Sequence, residues 1–386
     1  MSSHPTSLSQ LGRTYGGLTG KSKHDFGHGG AHYVTFMDVI SHVRVLGDSL
    51  ERVRTSSSER QNEVRRGDLL FNGSSETPEE VALSAVVHCD LPRPTFLNSF
   101  CFGFRLSDPD HVLAEYLAYF FRGPEGRALV APLAQGATRY NISKKRFAEV
   151  ELELPDGKVV KRTVEALGAC DQLIAAVERL ITKKQAIKQG MAQALVTGLA
   201  RLPGFRGPWT AASLDELLSY EQPGPYLIHS DIRSRGSVPV LTAGKTFVLG
   251  FTDEMAGVYT NHPVIIFDDF TTASKYVDFD FKAKSSAMKI LHARPGADLR
   301  FMYERLQLIR FPILDHKRRW ISEYRKLSVD APSYEEQRAI GGLLTAADKE
   351  IEVLSRRLAK LRDVKQGMMQ ELLTGRTRLV PRGVSA

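Results

Sequence analysis

Two stretches of the chain carry apolar residues at steps of seven, with further apolar residues on the adjoining stripe. A period near 3.5 residues is typical of a coiled-coil seam and predicts a long helix in each stretch. Each helix could instead pack separately on its own domain, but two seams of one design in one chain favour an antiparallel pair. The seam residues are Leu167, Ile174, Val177 and Ile181 in the first helix, and Leu344, Ile351, Leu354 and Leu358 in the second.

The two helical stretches are copies of one sequence. Residues 188–198 (KQGMAQALVTG) reappear at 365–375 (KQGMMQELLTG), an offset of 177 residues. The same offset, without gaps, places Pro155 on Pro332. A single register across so long a window indicates an internal duplication.

Four glycines mark related positions in the two copies. Gly198 and Gly375 follow the last apolar residues and are typical of helix C-terminal stops. Gly190 and Gly367 lie inside the helical pattern, where a glycine costs about 1 kcal/mol relative to alanine. Their matched placement suggests either a close approach of two helices or a local break, and the sequence does not decide between them.

A module of more than a hundred residues precedes each helix. Each module contains a short apolar run bounded by turn residues, Leu69–Asn72 and Ile265–Asp268, that predicts a buried strand. The modules also share an opening, Tyr33–Val39 against Tyr226–Ile232. Their offset is 193 residues at the opening and 196 at the strand, so their register has drifted while that of the helices has not. This contrast suits two domains with different ligands on a common scaffold.

The predicted fold class is therefore α+β, with two globular α/β domains separated by two long helices. The helices are expected to pair as an antiparallel coiled coil, which gives a pseudo-two-fold arrangement overall. We expect the first domain, called head 1, at 1–150 and the second, called head 2, at 205–329. The helix regions are expected at 151–204 and 330–386.

Composition places the chain among soluble globular proteins. Its 386 residues are 42% hydrophobic and 25% charged, enough for several domains with their own cores. No window approaches the ~18 apolar residues of a membrane span, and the N-terminus lacks the apolar segment of a secretory signal. A cytoplasmic location without a membrane partner is the expectation. Cys89, Cys101 and Cys170 form no CxxC pair, which argues against a disulfide framework or structural zinc.

The charge balance favours a polyanionic partner, since the net charge is +8 and the pI about 9.3. Polar and basic clusters in both heads suit DNA, because Arg, Lys and Asn read base edges and Ser, Thr and Lys hold phosphates. Solvated turns and caps are the alternative for any single residue. The DNA-contact candidates are Lys21, Lys23, Asn72, Ser74, Ser75, Arg139, Tyr140, Asn141 and Lys144 in head 1, and Thr271, Thr272, Ser274, Lys275, Lys284, Ser285 and Ser286 in head 2.

The sequence indicates no catalytic centre, so we expect neither catalytic nor metal-binding residues. Residues 16–22 imitate a Walker A loop, but three residues rather than four separate the glycines, which argues against an NTPase. A loose acid…acid-x-Lys pattern, Asp298 with Asp315 and Lys317, leaves a metal-dependent nuclease as one alternative. A coiled-coil interaction protein without DNA specificity is the other.

The order of head, helix, head and helix resembles a known family, the specificity subunits of type I restriction-modification enzymes. Residues 332–337 (PSYEEQ), the heptad helix and residues 372–376 (LLTGR) are similar to its repeated helical region. The first copy shares the ending at 195–198, whereas residues 155–160 (PDGKVV) replace the usual start. Residues 15–22, 67–76 and 138–144 resemble one type of target-recognition domain, and residues 267–272 and 285–291 resemble a second type.

The resemblance implies that each head is a target-recognition domain that reads one half of a bipartite, gapped DNA site, while the coiled helices fix the gap. Beyond double-stranded DNA, it implies two methyltransferase subunits that modify adenine N6, and restriction/translocase subunits. The chain itself would be non-catalytic and would bind no cofactor. S-adenosylmethionine would serve the methyltransferase subunit, and ATP and Mg the restriction subunit.

Overall fold

The structure, a computed structural model, describes residues 5–56, 58–242, 244, 246–311 and 320–377. The chain divides into two compact units. Unit 1 joins Met1–Ala176 with Leu358–Ala386, and unit 2 is Val177–Arg357. Each unit therefore combines one head with parts of both helical stretches. The domain boundaries expected at 150, 204 and 329 follow the sequence repeat and stay a prediction.

The strands are short and fall into two sets, one in each unit. In unit 1 they are β1 (Thr6–Ser7), β2 (Gly12–Gly16), β3 (Phe26–Val34), β4 (Arg44–Val45), β5 (Glu51–Val53), β6 (Leu69–Asn72), β7 (Ser74–Ser75), β8 (Ser84–Val87), β9 (Thr95–Leu97), β10 (Cys101–Leu106), β11 (Tyr140–Asn141) and β12 (Glu151–Leu152). In unit 2 they are β13 (Thr210–Ser213), β14 (Leu218–Glu221), β15 (Val238–Leu241), β16 (Val248–Thr252), β17 (Val264–Asp268), β18 (Ser274–Val277), β19 (Lys282–Ala283), β20 (Met288–Ala293) and β21 (Ser328–Ala331).

Two helices are far longer than the others. The helices are α1 (Leu8–Leu11), α2 (Phe36–Ser41), α3 (His111–Arg122), α4 (Pro124–Val130), α5 (Lys144–Ala148), α6 (Gly157–Val196), α7 (Leu214–Leu217), α8 (Leu299–Leu308) and α9 (Tyr334–Leu373). The long pair, α6 and α9, have 40 residues each. Among the described residues, no helix is both long and apolar enough to cross a membrane.

Head 1 is built on a five-stranded sheet of order β2-β10-β6-β8-β4, in which β4 and β8 run parallel. A second sheet has the order β5-β3-β9. All four residues of β6 are buried, which confirms the strand predicted from the apolar run. Because a central strand covered on both faces can be apolar throughout, its sequence shows no alternation.

An aromatic core joins head 1 to the long helices of unit 1. The rings of Phe71 and Phe147 lie 4.6 Å apart, and both are fully buried. The same cluster includes Leu167 of α6 and Leu373 of α9. Large aromatic rings bury much apolar surface in a small volume, so this cluster fixes the head on the helices.

Unit 2 repeats the plan with different residues. Its main sheet has the order β14-β20-β17-β18, and β17 confirms the second predicted strand. The core packs Phe267 against Trp320, with ring centroids 5.0 Å apart. Val196 of α6 and Leu344 of α9 belong to this core. Each head is thus mounted on one end of α6 and the opposite end of α9.

Ion pairs establish the antiparallel direction of the two long helices within unit 2. Lys184 pairs with Glu350 at 2.7 Å, and Lys188 pairs with Asp348 at 2.6 Å. From Lys184 to Lys188 along α6, the partner residue in α9 moves back from Glu350 to Asp348, which only antiparallel helices allow. The predicted antiparallel pairing is confirmed here.

The duplication reproduces one of these ion pairs in unit 1. Lys365 pairs with Asp171 at 2.6 Å, and these two residues stand 177 positions from Lys188 and Asp348. The Asp171 carboxylate also accepts a hydrogen bond from the Tyr119 hydroxyl of α3 at 2.7 Å. Burial is the main reason that the pKa of Tyr119 is raised, so the phenol stays a donor. The pair therefore ties a head helix to the coil.

The predicted seam is visible in the burial pattern of both helices. Leu167, Leu344 and Val177 are buried. The remaining seam residues are half-buried: Ile174, Ile181, Ile351, Leu354 and Leu358. A two-helix coil covers only one stripe of each helix, so this partial burial is the expected result.

Gly190 and Gly367 correct an expectation from the sequence. Neither a helix break nor a close approach of helices accounts for them. Both α6 and α9 run through these positions without interruption. Both glycines are exposed, and a Cβ added at either would meet nothing within 4 Å. The expected stops at Gly198 and Gly375 are confirmed, since both have positive φ just beyond the helix ends.

Candidate nucleic-acid interface

Two polar segments of head 1 meet at one end of its main sheet. Strands β7 and β11 pair antiparallel, which sets Ser74–Ser75 against Tyr140–Asn141. The backbone N–H of Ile142 also donates to the carbonyl oxygen of Gly73 at 3.1 Å. Candidate residues that are far apart in the sequence therefore share one surface beside the end of β6.

This surface carries basic side chains without acidic partners. Arg139, Lys144, Lys145 and Arg146 are exposed. Within the ranges that the structure describes, none of the four forms an ion pair. Basic side chains of this kind contact phosphates in protein–DNA complexes, and neighbouring hydroxyl and amide groups contact phosphates and base edges.

An exposed aromatic residue, Phe100, lies on the same surface in the β9–β10 connection. Its carbonyl oxygen accepts a hydrogen bond from the Gly73 N–H at 2.7 Å. The Arg139 guanidinium carbon lies 5.1 Å from the centre of its ring. The sequence pattern did not single out Phe100, because one phenylalanine in a loop reads as a core residue. The head-1 surface is defined here by Ser75, Phe100, Arg139, Asn141 and Lys144.

Two candidates of head 1 are buried, and one of them supports the loop from inside. Asn72 is 1% exposed, and its side-chain amide donates to the carbonyl oxygens of Ser74 and Glu80 at 3.1 and 2.8 Å. Its Oδ1 accepts from the Leu83 N–H at 2.6 Å. Ser74 is also buried. The Asn72 side chain therefore holds the loop in shape. The buried Ser74 hydroxyl has no hydrogen-bond partner among the described residues, and Ser75 is half-exposed beside it.

The two lysines of the glycine-rich loop differ in availability. Lys21 Nζ donates to the Arg54 carbonyl oxygen at 2.7 Å and pairs with Glu59 at 2.5 Å. Its charge is therefore neutralised within the head. Lys23 is exposed in the short 3₁₀ helix Lys23–Asp25. Of the two, Lys23 is the one open to a phosphate.

Backbone contacts bring the two candidate clusters of head 2 together. Asp268 organises the β17–β18 turn, since its carboxylate accepts from the Phe270 N–H at 2.9 Å. Thr272 completes the turn with φ 56°, an uncommon conformation for a β-branched residue. The neighbouring Asp269 N–H donates to the Ala287 carbonyl oxygen at 3.2 Å. The turn at 285–287 therefore lies beside the turn at 269–273.

The exposed and half-exposed candidates in and beside these two turns define the head-2 surface. Ser274 is the exception among the candidates: it is buried, and its hydroxyl accepts from the Gln307 amide at 2.7 Å. In the described chain, neither Lys275 nor Lys284 forms an ion pair. The head-2 surface comprises Thr271, Lys275, Lys284 and Ser286, which are exposed, and Thr272 and Ser285, which are half-exposed.

A buried ion pair fixes the base of the head-2 surface. Lys289 of β20 and Asp269 lie 3.0 Å apart, and each side chain is 1% exposed. Asp269 also accepts from the Trp320 N–H at 2.8 Å. A buried charge without its partner is strongly unfavourable, so this pair holds the turn against the core.

The nuclease alternative finds little support in the geometry. Asp298 is the N-cap of α8 and accepts from the Phe301 N–H at 2.8 Å. Asp315 and Lys317 lie outside the described residues. Within the described ranges, no group of three or more His, Cys, Asp or Glu side chains is arranged to hold a metal ion. Asp298 therefore has a structural role as a helix cap.

Comparison with known proteins supports the resemblance that the sequence indicated. No family model matches the chain. One curated protein, the type I restriction enzyme EcoR124I/EcoR124II specificity subunit of Escherichia coli, is 48% identical over 138 residues. The aligned part is 34% of this chain and spans only about a third (34%) of that relative. The resemblance is confirmed for this part of the chain.

Solved structures extend the comparison to the whole fold. The type I restriction-modification S subunit from M. genitalium matches with a TM-score of 0.61 and 16% identity, covering 96% of this chain and 95% of the other. The chain has the specificity-subunit fold. A further chain, from a structure of type I restriction-modification complex assembly and conformational transition, matches with a TM-score of 0.50 and 13% identity, covering 96% and 97%. The specificity-subunit fold agrees with the predicted α+β class of two heads and two long paired helices.

Proposed function

We propose that this chain is the specificity subunit of a type I restriction-modification system and that each head reads one half of a bipartite, gapped DNA site. The observation that carries the proposal is the repeated plan. Each compact unit mounts a head on paired parts of the same two helices, and each head exposes hydroxyl groups and basic side chains that form no ion pair in the described chain. The partial identity to a specificity subunit supports the same function.

The proposed role is non-catalytic. The chain selects the DNA sequence, while partner subunits carry out adenine-N6 methylation with S-adenosylmethionine and cleavage with ATP and Mg. In this reading the candidate clusters serve recognition: cations hold phosphates, and Asn, Ser and Thr side chains read base edges.

A groove between α6 and α9 in unit 2 is our candidate docking site for a methyltransferase subunit. It has a volume of about 250 Å³. Ile187 and Leu343 on its walls are 52% and 40% exposed, beside Lys184 and Glu350. Exposed apolar side chains rimmed by charges are typical of a helix-binding groove. The partner's identity follows from the proposed function.

Substitution of the groove tests this docking. Ile187→Lys should prevent co-purification with the methyltransferase subunit, because a lysine charge would be desolvated in the interface. Leu46→Lys is the matched control, since Leu46 is an exposed apolar residue of head 1. Equal recovery of the complex with both variants would exclude the groove.

The test of the proposed function is methylation mapping in cells with and without the gene. A gapped motif with modified adenines should be present only when the gene is present. A variant in which the residues of the head-2 surface are replaced by alanine should alter or abolish one half of that motif. An unchanged methylation pattern after deletion of the gene would contradict the proposal.

A further inference from the structure

Phe100 is held in an exposed position by a fixed loop. Its side chain is 54% exposed, although phenylalanine usually lies in a core. Its N–H donates to Asn98 Oδ1 at 2.9 Å, and its carbonyl oxygen is bound by Gly73. The ordered backbone of the loop therefore holds the Phe100 ring in its exposed position.

Close packing fixes the loop on its other side. The Leu18 N–H donates to the Leu97 carbonyl oxygen at 2.8 Å. A Cβ at Gly17 would come within 2.1 Å of the Asn98 carbonyl oxygen, so only glycine fits this approach. A loop braced in this way presents the ring without an ordering cost when a partner binds.

The surroundings of Phe100 identify the kind of partner. The Arg139 guanidinium lies over the ring, and exposed Lys144 and Asn141 belong to the same surface. An aromatic ring among unpaired cations and amide groups matches a nucleic acid, whose bases stack and whose phosphates are anionic. A protein partner would instead favour an apolar patch around the ring.

We infer that Phe100 is an aromatic wedge that inserts at one base step of the half-site bound by head 1. This inference rests on the proposed function and extends it to a residue. Apolar side chains inserted between base pairs unstack a step and open the duplex. An enzyme that modifies a base in duplex DNA needs the base out of the stack. A wedge beside the target base favours that opened state.

The experiment uses the full chain in complex with its methyltransferase subunits and a duplex that carries the mapped motif. 2-Aminopurine replaces one base at a time through both half-sites and reports local unstacking. Phe100→Ala should weaken binding about tenfold, a loss typical of one stacked base. It should also abolish the 2-aminopurine signal at positions within one half-site only.

Two variants sharpen the result. Phe100→Trp should bind within about threefold of the natural protein, and its added emission should be quenched by base stacking when the duplex is added. Leu46→Ala is the matched control, because Leu46 is 56% exposed. Leu46 directly follows β4, which pairs with β8. Strand β8 in turn pairs with β6 so that Val86 lies opposite Leu69, at the end of β6 remote from Asn72. This control should leave affinity and the 2-aminopurine signal unchanged.

The outcomes separate the inference from the proposed function. If the natural complex binds the motif but Phe100→Ala retains its affinity and its 2-aminopurine profile, the wedge is refuted and the proposed function stands. If Phe100→Trp binds without quenching, the wedge is likewise refuted. If the natural complex shows no preference for the motif, both ideas fail together.

Discussion

At the scale of single residues, polar side chains in the heads divide into contact groups and supporting groups. Arg139 and Lys275 face solvent without an acidic partner in the described chain, whereas Asn72 and Ser274 are buried and hydrogen-bonded. Sequence composition identified both kinds, because both occur in polar loops. It could not separate them, since the direction of a side chain depends on tertiary packing that local sequence does not encode.

We expect Arg139→Ala and Lys275→Ala each to weaken DNA binding without lowering the melting temperature. Both are exposed, so truncation removes a cation and, at Arg139, only its contact with the exposed ring of Phe100. Loss of one phosphate contact should reduce the slope of log K against log salt by about 1. Fluorescence anisotropy titrations at several salt concentrations measure this slope.

Arg66→Ala serves as the control for charge alone. Arg66 is an exposed cation that precedes β6, at the end of the strand opposite Asn72, and it forms only a loose ion pair, at 3.9 Å, with the exposed Asp90. Its removal should leave the salt slope unchanged. If all three variants behaved alike, the head surfaces would have no special role in binding.

Glu254 is expected to make the stability of head 2 depend on pH. Its carboxylate accepts from Lys282 and from the backbone N–H groups of His229 and Ser230 at 3.1 and 2.8 Å. The hydrogen bond from Lys282 is the main reason that the pKa of Glu254 is lowered from 4.5 to about 2. A carboxyl whose pKa is lowered by folding stabilises the fold above its unfolded pKa, and this contribution is lost as the pH falls.

We therefore expect the natural protein to lose thermal stability as the pH falls from about 4.5 towards 2, through the pKa values of the unfolded and folded states. Glu254→Gln should be less stable at neutral pH, because buried Lys282 loses its counter-charge. Its melting temperature should then fall less over the acid range. Parallel melting curves across that range would show that Glu254 contributes nothing.

At the scale of elements, the long helices were predictable because their seam is a local periodicity repeated in two copies. Leu167 and Leu344 occupy equivalent seam positions and are both fully buried. The glycines were not predictable in the same way. A matched glycine shows that a position is shared by both copies, but not what surrounds it, and the structure places both in open solvent.

This exposure makes a stability prediction. Gly190→Ala and Gly367→Ala should each raise the free energy of unfolding by about 1 kcal/mol, because alanine restricts the unfolded chain and meets no neighbour. Urea unfolding monitored by circular dichroism measures the change. Gly17→Ala is the contrasting variant and should destabilise the fold, since its Cβ would clash with Asn98. A loss of stability in both helix variants would indicate a contact that the exposed position does not reveal.

At the scale of the whole molecule, the compact units do not follow the order of the sequence. Unit 1 joins Met1–Ala176, which includes the first half of α6, with Leu358–Ala386, which includes the last part of α9. The duplication predicted two heads and two helices, but not which half of each helix carries which head. That assignment depends on long-range packing, such as Leu373 against the core of head 1.

If the helices set the gap between the half-sites, their length must matter to the DNA sequence that is selected. Deleting four residues from the part of α6 that belongs to neither head core removes about 6 Å of helix. The deletion also shifts the later residues of α6 out of register with the seam of α9. We expect methylation mapping to find the same half-sites with a different gap, or no gapped motif at all. Gly190→Ala is the control, because it changes α6 without changing its length and should preserve the motif. If cells with the deletion variant still methylated the original motif at the original level, the helices would be ruled out as the determinant of the gap.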